Sequence, residues 1–451
     1  MRRGSVLLLA MGGAVGYAAA RKSVAKRRVR LDSPGRHVVI LGGGFGGLSA
    51  ASKLVSLAGD QLRITLIDQH NYHLFTPMLY QVATCGVVPY DVAIPLRTFT
   101  SPRGIRFRKG CVQDIDLERQ LVRTDTGEID YDCLIIALGS TTNYFGNASA
   151  QQHSMPLKSL EAGLAIRNRV IDALEKAALT SDMEKRRALL TFVIIGGGAT
   201  GVETAGALAD AVRHLIPKNY PALDAHIARV ILMESAGKLL GHMSAEMAEL
   251  AMRELHSAGV EVWLNTAAKN VYTDRVETAN GRSVITENVL WATGVCAPDL
   301  VGKLPIRHGT DGTIAVNEFL QVPAHPNVFA IGDNAEALSQ ESSVPLLAAA
   351  AMQQGFAAGA NVVRMFSGRS LQPFRYKNLG SVVSVGHRAG VAEIAGQVIG
   401  GFAGWLAWRV VHLARITSFR NKMATALDWT TGYFYDVDTA RLEIEPRPKA
   451  A

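Results

Sequence analysis

His37-Val38-Val39-Ile40-Leu41-Gly42-Gly43-Gly44-Phe45-Gly46-Gly47 is an apolar, β-branched run that ends in G-x-G-x-x-G. About 150 residues later the pattern returns as Thr191-Phe192-Val193-Ile194-Ile195-Gly196-Gly197-Gly198-Ala199-Thr200-Gly201. Each copy reads as a buried strand, a tight turn and the entry of a helix. The first glycine of each (Gly42, Gly196) permits the turn. The second (Gly44, Gly198) lets backbone approach a pyrophosphate. The third (Gly47, Gly201) lets the helix pack close to its strand, so that its N-terminal N–H groups face the phosphates. One copy is a weak signal. Two in one chain indicate two dinucleotides bound side by side.

An acid follows each copy at the end of the next apolar strand. Arg63-Ile64-Thr65-Leu66-Ile67-Asp68 places Asp68 21 residues past Gly47, a spacing suited to ribose hydroxyls. Arg229-Val230-Ile231-Leu232-Met233-Glu234 repeats the device. A carboxylate at Glu234 accepts from a 2′-hydroxyl and repels a 2′-phosphate, and no arginine follows at once, which favours NADH over NADPH at the second site. The first site then suits a resident flavin and the second a visiting nicotinamide.

Both units close alike. Tyr131 to Gly139 is a buried strand ending in a small-residue turn, and Asn288 to Gly294 mirrors it. Asn327-Val328-Phe329-Ala330-Ile331-Gly332-Asp333 is a further apolar strand, in which Gly332 admits a ligand and Asp333 can accept from a polyol. The expected fold is therefore α/β, with two Rossmann-like dinucleotide-binding domains, the second inserted in the first.

Net charge is +8, but residues 1–35 hold eight Lys/Arg and one acid, +7, which leaves +1 for the body. A second basic excess lies in 375–422, seven cations against Glu393. Both regions adjoin apolar stretches, so an anionic membrane surface fits better as a partner than nucleic acid. The four cysteines form no C-x-x-C, against disulfide-reductase chemistry and structural zinc, and no metal site is expected. His70 and His73 read as turn or packing residues. The apolar stretch 5–20, about 24 Å as a helix, is short for a bilayer. It reads as an uncleaved anchor, a cleaved signal peptide or an organelle presequence. The basic run after it favours an anchor, with the body on the cytoplasmic side. Gly400 to Ile416 reads as an interfacial helix with Phe402, Trp405, Leu406, Leu413 and Ile416 near one face and Arg409 snorkelling to headgroups. The alternative is a dimer interface, giving a homodimer, or a core helix.

With these motifs in hand, residues 36–440 resemble the type II (alternative, non-proton-pumping) NADH:quinone dehydrogenases of the two-dinucleotide flavoprotein superfamily. The resemblance rests on Asn71-Tyr72-His73-Leu74-Phe75-Thr76-Pro77-Met78-Leu79-Tyr80-Gln81-Val82-Ala83, on Asp91 to Arg97, on Tyr376 to Glu393, and on Trp405 to His412 with Asp428-Trp429. It implies FAD on Gly42, Gly44, Gly47, Asp68, Gly139, Gly332 and Asp333. It implies NADH on Gly196, Gly198, Gly201, Glu234 and Gly294, and a quinone as acceptor. Glu203 is implied to position NADH or relay protons. The family's glutamine pair is reduced here to Gln353, because Ala349 stands at the first position, so a different acceptor is the alternative. The implied division is 1–35 anchor or targeting segment, 36–154 the first FAD-binding segment, 155–290 NADH-binding, 291–370 the second FAD-binding segment and 371–451 membrane-associated. The implied location is the cell membrane, peripheral on the cytoplasmic side, with the mitochondrial inner membrane as the alternative.

Overall fold

The computed structural model describes residues 35–339, 342–386, 388–434 and 440–441. The apolar stretch 5–20 lies outside them.

Along the chain come β1 (Arg36–Leu41), α1 (Phe45–Leu57), β2 (Leu62–Asp68), α2 (Leu79–Ala83), β3 (Arg106–Lys109), β4 (Cys133–Ile136) and β5 (Met155–Pro156). Then follow α3 (Leu160–Leu179), β6 (Thr191–Ile195), α4 (Ala199–Asn219), β7 (Arg229–Met233), α5 (Ala245–Ser257), β8 (Val260–Trp263) and β9 (Asn288–Trp291). Next come β10 (Gln321–Val322), β11 (His325–Ala330), α6 (Ala348–Phe366), β12 (Ser381–Ser384), β13 (Gly390–Ile394), β14 (Gln397–Ile399), α7 (Gly401–Arg415) and α8 (Phe419–Phe434).

Two sheets organise these elements. The first has strand order β10-β11-β4-β1-β2-β3, and the second β5-β9-β6-β7-β8. In both, the strand that feeds the glycine turn lies between the closing strand and the acid-bearing strand, all parallel. The strand order reverses at that point, where a ligand finds a crevice at the strands' carboxyl ends. Continuous apolar runs are what such two-sided burial requires. Val38 to Leu41 and Phe192 to Ile194 are accordingly fully buried.

The first sheet takes strands from both sides of the second unit, so the second unit is inserted. The chain leaves and re-enters side by side: Thr141–Thr142 pairs antiparallel with Val295–Cys296. After re-entry, α6 lies on α1 at very short range. A Cβ on Gly355 would stand 2.2 Å from the Gly46 carbonyl oxygen, and one on Gly359 2.8 Å from that of Ala50. The small-residue face of α6 thus seats α1, and with it the first glycine turn.

The C-terminal unit is the antiparallel meander β12–β13–β14 followed by α7 and α8. α7 packs on β13, where a Cβ on Gly404 would meet the Gly390 carbonyl at 2.2 Å. α8 is tied to the first unit. Asn421 Nδ2 donates to the carbonyls of Tyr90 and Asp91, and Trp429 Nε1 donates to Gln81 Oε1 at 2.9 Å. The sequence pattern faces α7 differently from the structure. Trp405 and Ile416 are buried, Phe402 is exposed, and Arg409 lies between the rings of Trp405 and Trp429 at 3.9 and 4.6 Å. Apolar residues surround this helix, so its periodicity cannot say which side is core. No helix among the described residues is long and apolar enough to cross a membrane.

Candidate active site

The two glycine turns are built alike to the level of single hydrogen bonds. Gly42 and Gly196 take φ of +103° and +114°, a region side chains rarely enter. A Cβ on Gly47 would lie 1.9 Å from the Gly42 carbonyl oxygen, and one on Gly201 1.7 Å from that of Gly196. At each middle glycine the backbone N–H is held by the downstream acid. Gly43 N donates to Asp68 Oδ2 at 2.7 Å, and Gly197 N donates to Glu234 Oε2 at 2.6 Å. The other oxygen of each acid accepts from the backbone two residues on, His70 N and Ala236 N, both at 2.7 Å. Burial pushes the Asp68 carboxyl up, and these two N–H donors oppose the shift.

The helices behind the turns start without side-chain caps at Gly44 and Gly198, and neither has an acid in its first turn. Contrast α3 and α5, capped by Ser159 and Ser244 with Glu161 and Glu246 beside them. An uncapped helix start leaves N–H donors and positive dipole for an anion. A Cβ on Gly44 or Gly198 would meet no protein atom within 4 Å. Both cradles therefore fit a pyrophosphate, and each acid beside them retains lone pairs for ribose hydroxyls.

The carbonyl side of the middle peptide differs between the copies. Gly43 O accepts from His73 Nδ1 at 2.9 Å, and this ring is buried. Burial pushes its pKa down to about 4, so it stays neutral and Nδ1 carries the proton. Gly197 O accepts instead from the backbone N–H of Leu240 at 2.8 Å. The sequence marks His73 as a turn or packing residue; the structure buries it, and its grip on the glycine turn is visible only there.

Three distant segments meet beside the first turn. Gly139 N donates to Asn334 Oδ1 at 3.1 Å, and the buried Asn334 donates back to Ile136 O. Gly332 N donates to Gln354 Oε1. Ser140 Oγ donates to Asp333 Oδ2 at 2.6 Å, and Lys158 Nζ donates to Ser140 Oγ at 2.7 Å while standing 3.8 Å from Asp333. Burial lowers the Lys158 pKa, and Asp333 opposes that. Gly139, Gly332 and Asp333 are thus brought together, with Ser140, Lys158, Asn334 and Gln354 as additions that the sequence reading missed. In the second unit Gly294 O accepts from Asn143 N at 3.2 Å, in the ribbon that joins the units.

Glu203 lies in the second turn of α4, yet its carboxyl turns to the C-terminal unit. Oε1 accepts from Trp408 Nε1 at 2.7 Å and from Ser384 N at 3.3 Å. Burial raises its pKa to about 8, against these two donors. Gln353 makes a two-way pair with the backbone of Lys377, donating to its carbonyl at 2.9 Å and accepting from its N–H at 3.0 Å. Ala349 sits in the first turn of α6, beside the exposed Leu346 and Leu347.

Two acid-clamped, uncapped glycine turns in one chain, one unit inserted in the other, define an oxidoreductase that brings two dinucleotides together. Residues 36–355 match the family model described as pyridine nucleotide-disulphide oxidoreductase, and residues 378–436 match the NDH2 C-terminal domain. Two curated relatives are type II NADH:quinone oxidoreductases of Mycobacterium tuberculosis. Ndh is 35% identical over 89% of this chain and 89% of its own, and NdhA 34% over 88% and 87%. The solved structure of NDH2 from Plasmodium falciparum in complex with NADH has the same fold, with a TM-score of 0.81 at 19% identity over 90% of this chain and 99% of that one. The chain belongs to the type II NADH:quinone oxidoreductase family.

Proposed function

We propose that this protein oxidises NADH and passes the two electrons to a membrane quinone without pumping protons. The observation that carries the reading is the repeated clamp, one acid on one glycine turn in each unit, in a chain of this family. FAD, when bound, supplies the two-electron chemistry between nicotinamide and quinone. The chain's own residues bind and orient. Gly42, Gly44 and Gly47 with the start of α1 would hold the flavin's pyrophosphate, and Asp68 its ribose. Gly139 and Gly332 would border its far half, where Asp333, steadied by Ser140 and Lys158, would accept from the polyol. Gly196, Gly198, Gly201 and Gly294 would hold NADH, with Glu234 on its 2′-hydroxyl. This division corresponds to units at 36–154 with 291–370, 155–290 and 371–451.

The overall balance is NADH, one proton and quinone to NAD⁺ and quinol. We assign Glu203 to hold a proton for that balance, since its carboxyl is buried between α4 and the C-terminal unit, held by Trp408 and Ser384, and burial raises its pKa to about 8. Gln353, engaged with Lys377, would act on the quinone through the position of the 376–379 segment. Ala349 removes one hydrogen-bonding amide from the family's pair. Peripheral attachment would use α8, where the exposed Phe419, Met423 and Leu427 fall on one stripe at spacings of four, flanked by Arg420 and Lys422. The exposed Phe402, Val88 and Tyr90 would extend that surface. A homodimer is the other occupant such a stripe could take. The basic flank of 5–20 favours the cytoplasmic side of the cell membrane, with the mitochondrial inner membrane as the alternative.

Steady-state turnover of the FAD-loaded protein tests the reading. NADH consumption should depend on added quinone, with NADPH a poor substitute. Flavin that NADH reduces but quinone cannot reoxidise would replace it with a reductase for another acceptor.

A further inference from the structure

Glu203 belongs to the nucleotide unit by sequence, but its Oε1 accepts two hydrogen bonds from the C-terminal unit: one from the Trp408 indole N–H on α7 and one from the Ser384 backbone N–H at the end of β12. Trp408 is itself fixed. It is 1% exposed, stacks on His412 at 4.1 Å, and meets the Tyr80 ring edge-on at 5.9 Å and Trp429 at 5.9 Å. Trp429 in turn donates to Gln81, whose amide donates to the Tyr80 hydroxyl at 3.0 Å. One wall of aromatic and amide groups therefore joins α2, α7 and α8 to one buried carboxyl. The exposed Phe402 on α7 and Phe419, Met423 and Leu427 on α8 belong to the same two helices.

We propose that Trp408 is a positioning residue through which the C-terminal unit sets the proton affinity of Glu203, and so the pH range over which quinone is reduced. This rests on the reading of Glu203 as the proton holder. A buried carboxyl relies on its hydrogen-bond donors to stabilise its ionised form. Both donors move with α7 and the meander, so the ionisation of Glu203 depends on how that unit is docked. The other titratable groups at the seam leave this role to the donors. His412 is pushed down to about 4 by burial and stays neutral. Tyr80 is pushed up by burial and by Glu203 and keeps its proton. Arg409, lowered to about 10 by burial, stays charged at neutral pH and faces Trp405 and Trp429. Asp210 lies two turns further along α4, next to Gly386.

The test is the alkaline limb of quinone reduction, measured with FAD-loaded protein under saturating NADH. Trp408→Phe keeps an aromatic ring and deletes the N–H, which destabilises the ionised carboxyl. The limb should move up by about one pH unit. Glu203→Gln should lack the limb, and adding Trp408→Phe to it should change nothing further, because the tryptophan acts through the acid. A limb that vanishes in Glu203→Gln but stays in place in Trp408→Phe overturns this inference alone. A limb that survives Glu203→Gln overturns the reading of Glu203, while quinone turnover itself would stand. Should the phenylalanine variant not hold FAD, Trp408→Met, which also carries no donor, has the same expectation.

Discussion

The two glycine turns share a strand, an acid and a backbone geometry, yet they are braced by different materials. In the first, the Gly43 peptide is gripped by two side chains, Asp68 on its N–H and the buried His73 on its carbonyl. In the second, Glu234 takes the N–H of Gly197, but the carbonyl rests on the backbone of Leu240, at the end of a stretch in which Ala236, Gly237 and Lys238 are exposed. The first turn is backed by α6 through Gly355 and Gly359, and it adjoins the Ser140–Lys158–Asp333 cluster. On the proposed assignment, the same turn chemistry would serve a resident cofactor where packing immobilises it, and a visiting one where a surface loop supports it.

The comparison breaks most sharply at the second glycines. Gly44→Val and Gly198→Val add side chains into space free of protein, so both variants should fold. Each should lose one ligand, with affinity down on the order of a hundredfold. Gly44→Val should purify colourless. Gly198→Val should keep its flavin spectrum and fail to be bleached by NADH. Equal flavin content in both would dissolve the assignment of the two sites.

A smaller effect separates the braces. His73→Phe keeps a ring in the core but leaves the Gly43 carbonyl without its donor, a cost of about 2 kcal/mol. Flavin retention should weaken about 25-fold, measured as dissociation on dilution, while KM for NADH stays put. A matching rise in KM for NADH would mean that His73 supports the whole fold rather than one turn. Smaller still is Glu234→Gln. Losing the charge opposite a 2′-phosphate should improve the NADPH-to-NADH ratio of kcat/KM about tenfold. An unchanged ratio would place selectivity elsewhere.

What the sequence made legible was local. A β-branched run, three glycines at fixed spacing and an acid at the next strand end lie within residues 37–68 in the first copy and 191–234 in the second, and in each the acid reaches its glycine turn. What it hid was joined across the fold. Ser140, Lys158 and Asp333 come from three segments, and Trp408 meets Glu203 across 205 residues. No periodicity records such meetings. The glutamine pair shows the same limit. Gln353 stands out as the family's residue, while its neighbour Gln354, one position on and so on another face of α6, is the buried one that holds Gly332. In α7 the tryptophans resemble an interfacial belt because aromatics serve cores and membranes equally. Only the packing of α7 on β13 shows that Trp405 and Trp408 face inward and Phe402 outward.

On this reading one chain holds a flavin in its first unit and reduces it from NADH in its second, for delivery to quinone. An anaerobic absorbance titration of the purified protein tests this most directly. The expected result is that one equivalent of NADH bleaches the bound flavin, and one equivalent of a quinone analogue restores the oxidised spectrum with quinol formed. A flavin that stays oxidised under excess NADH, or that is bleached and then left reduced by quinone, would contradict it.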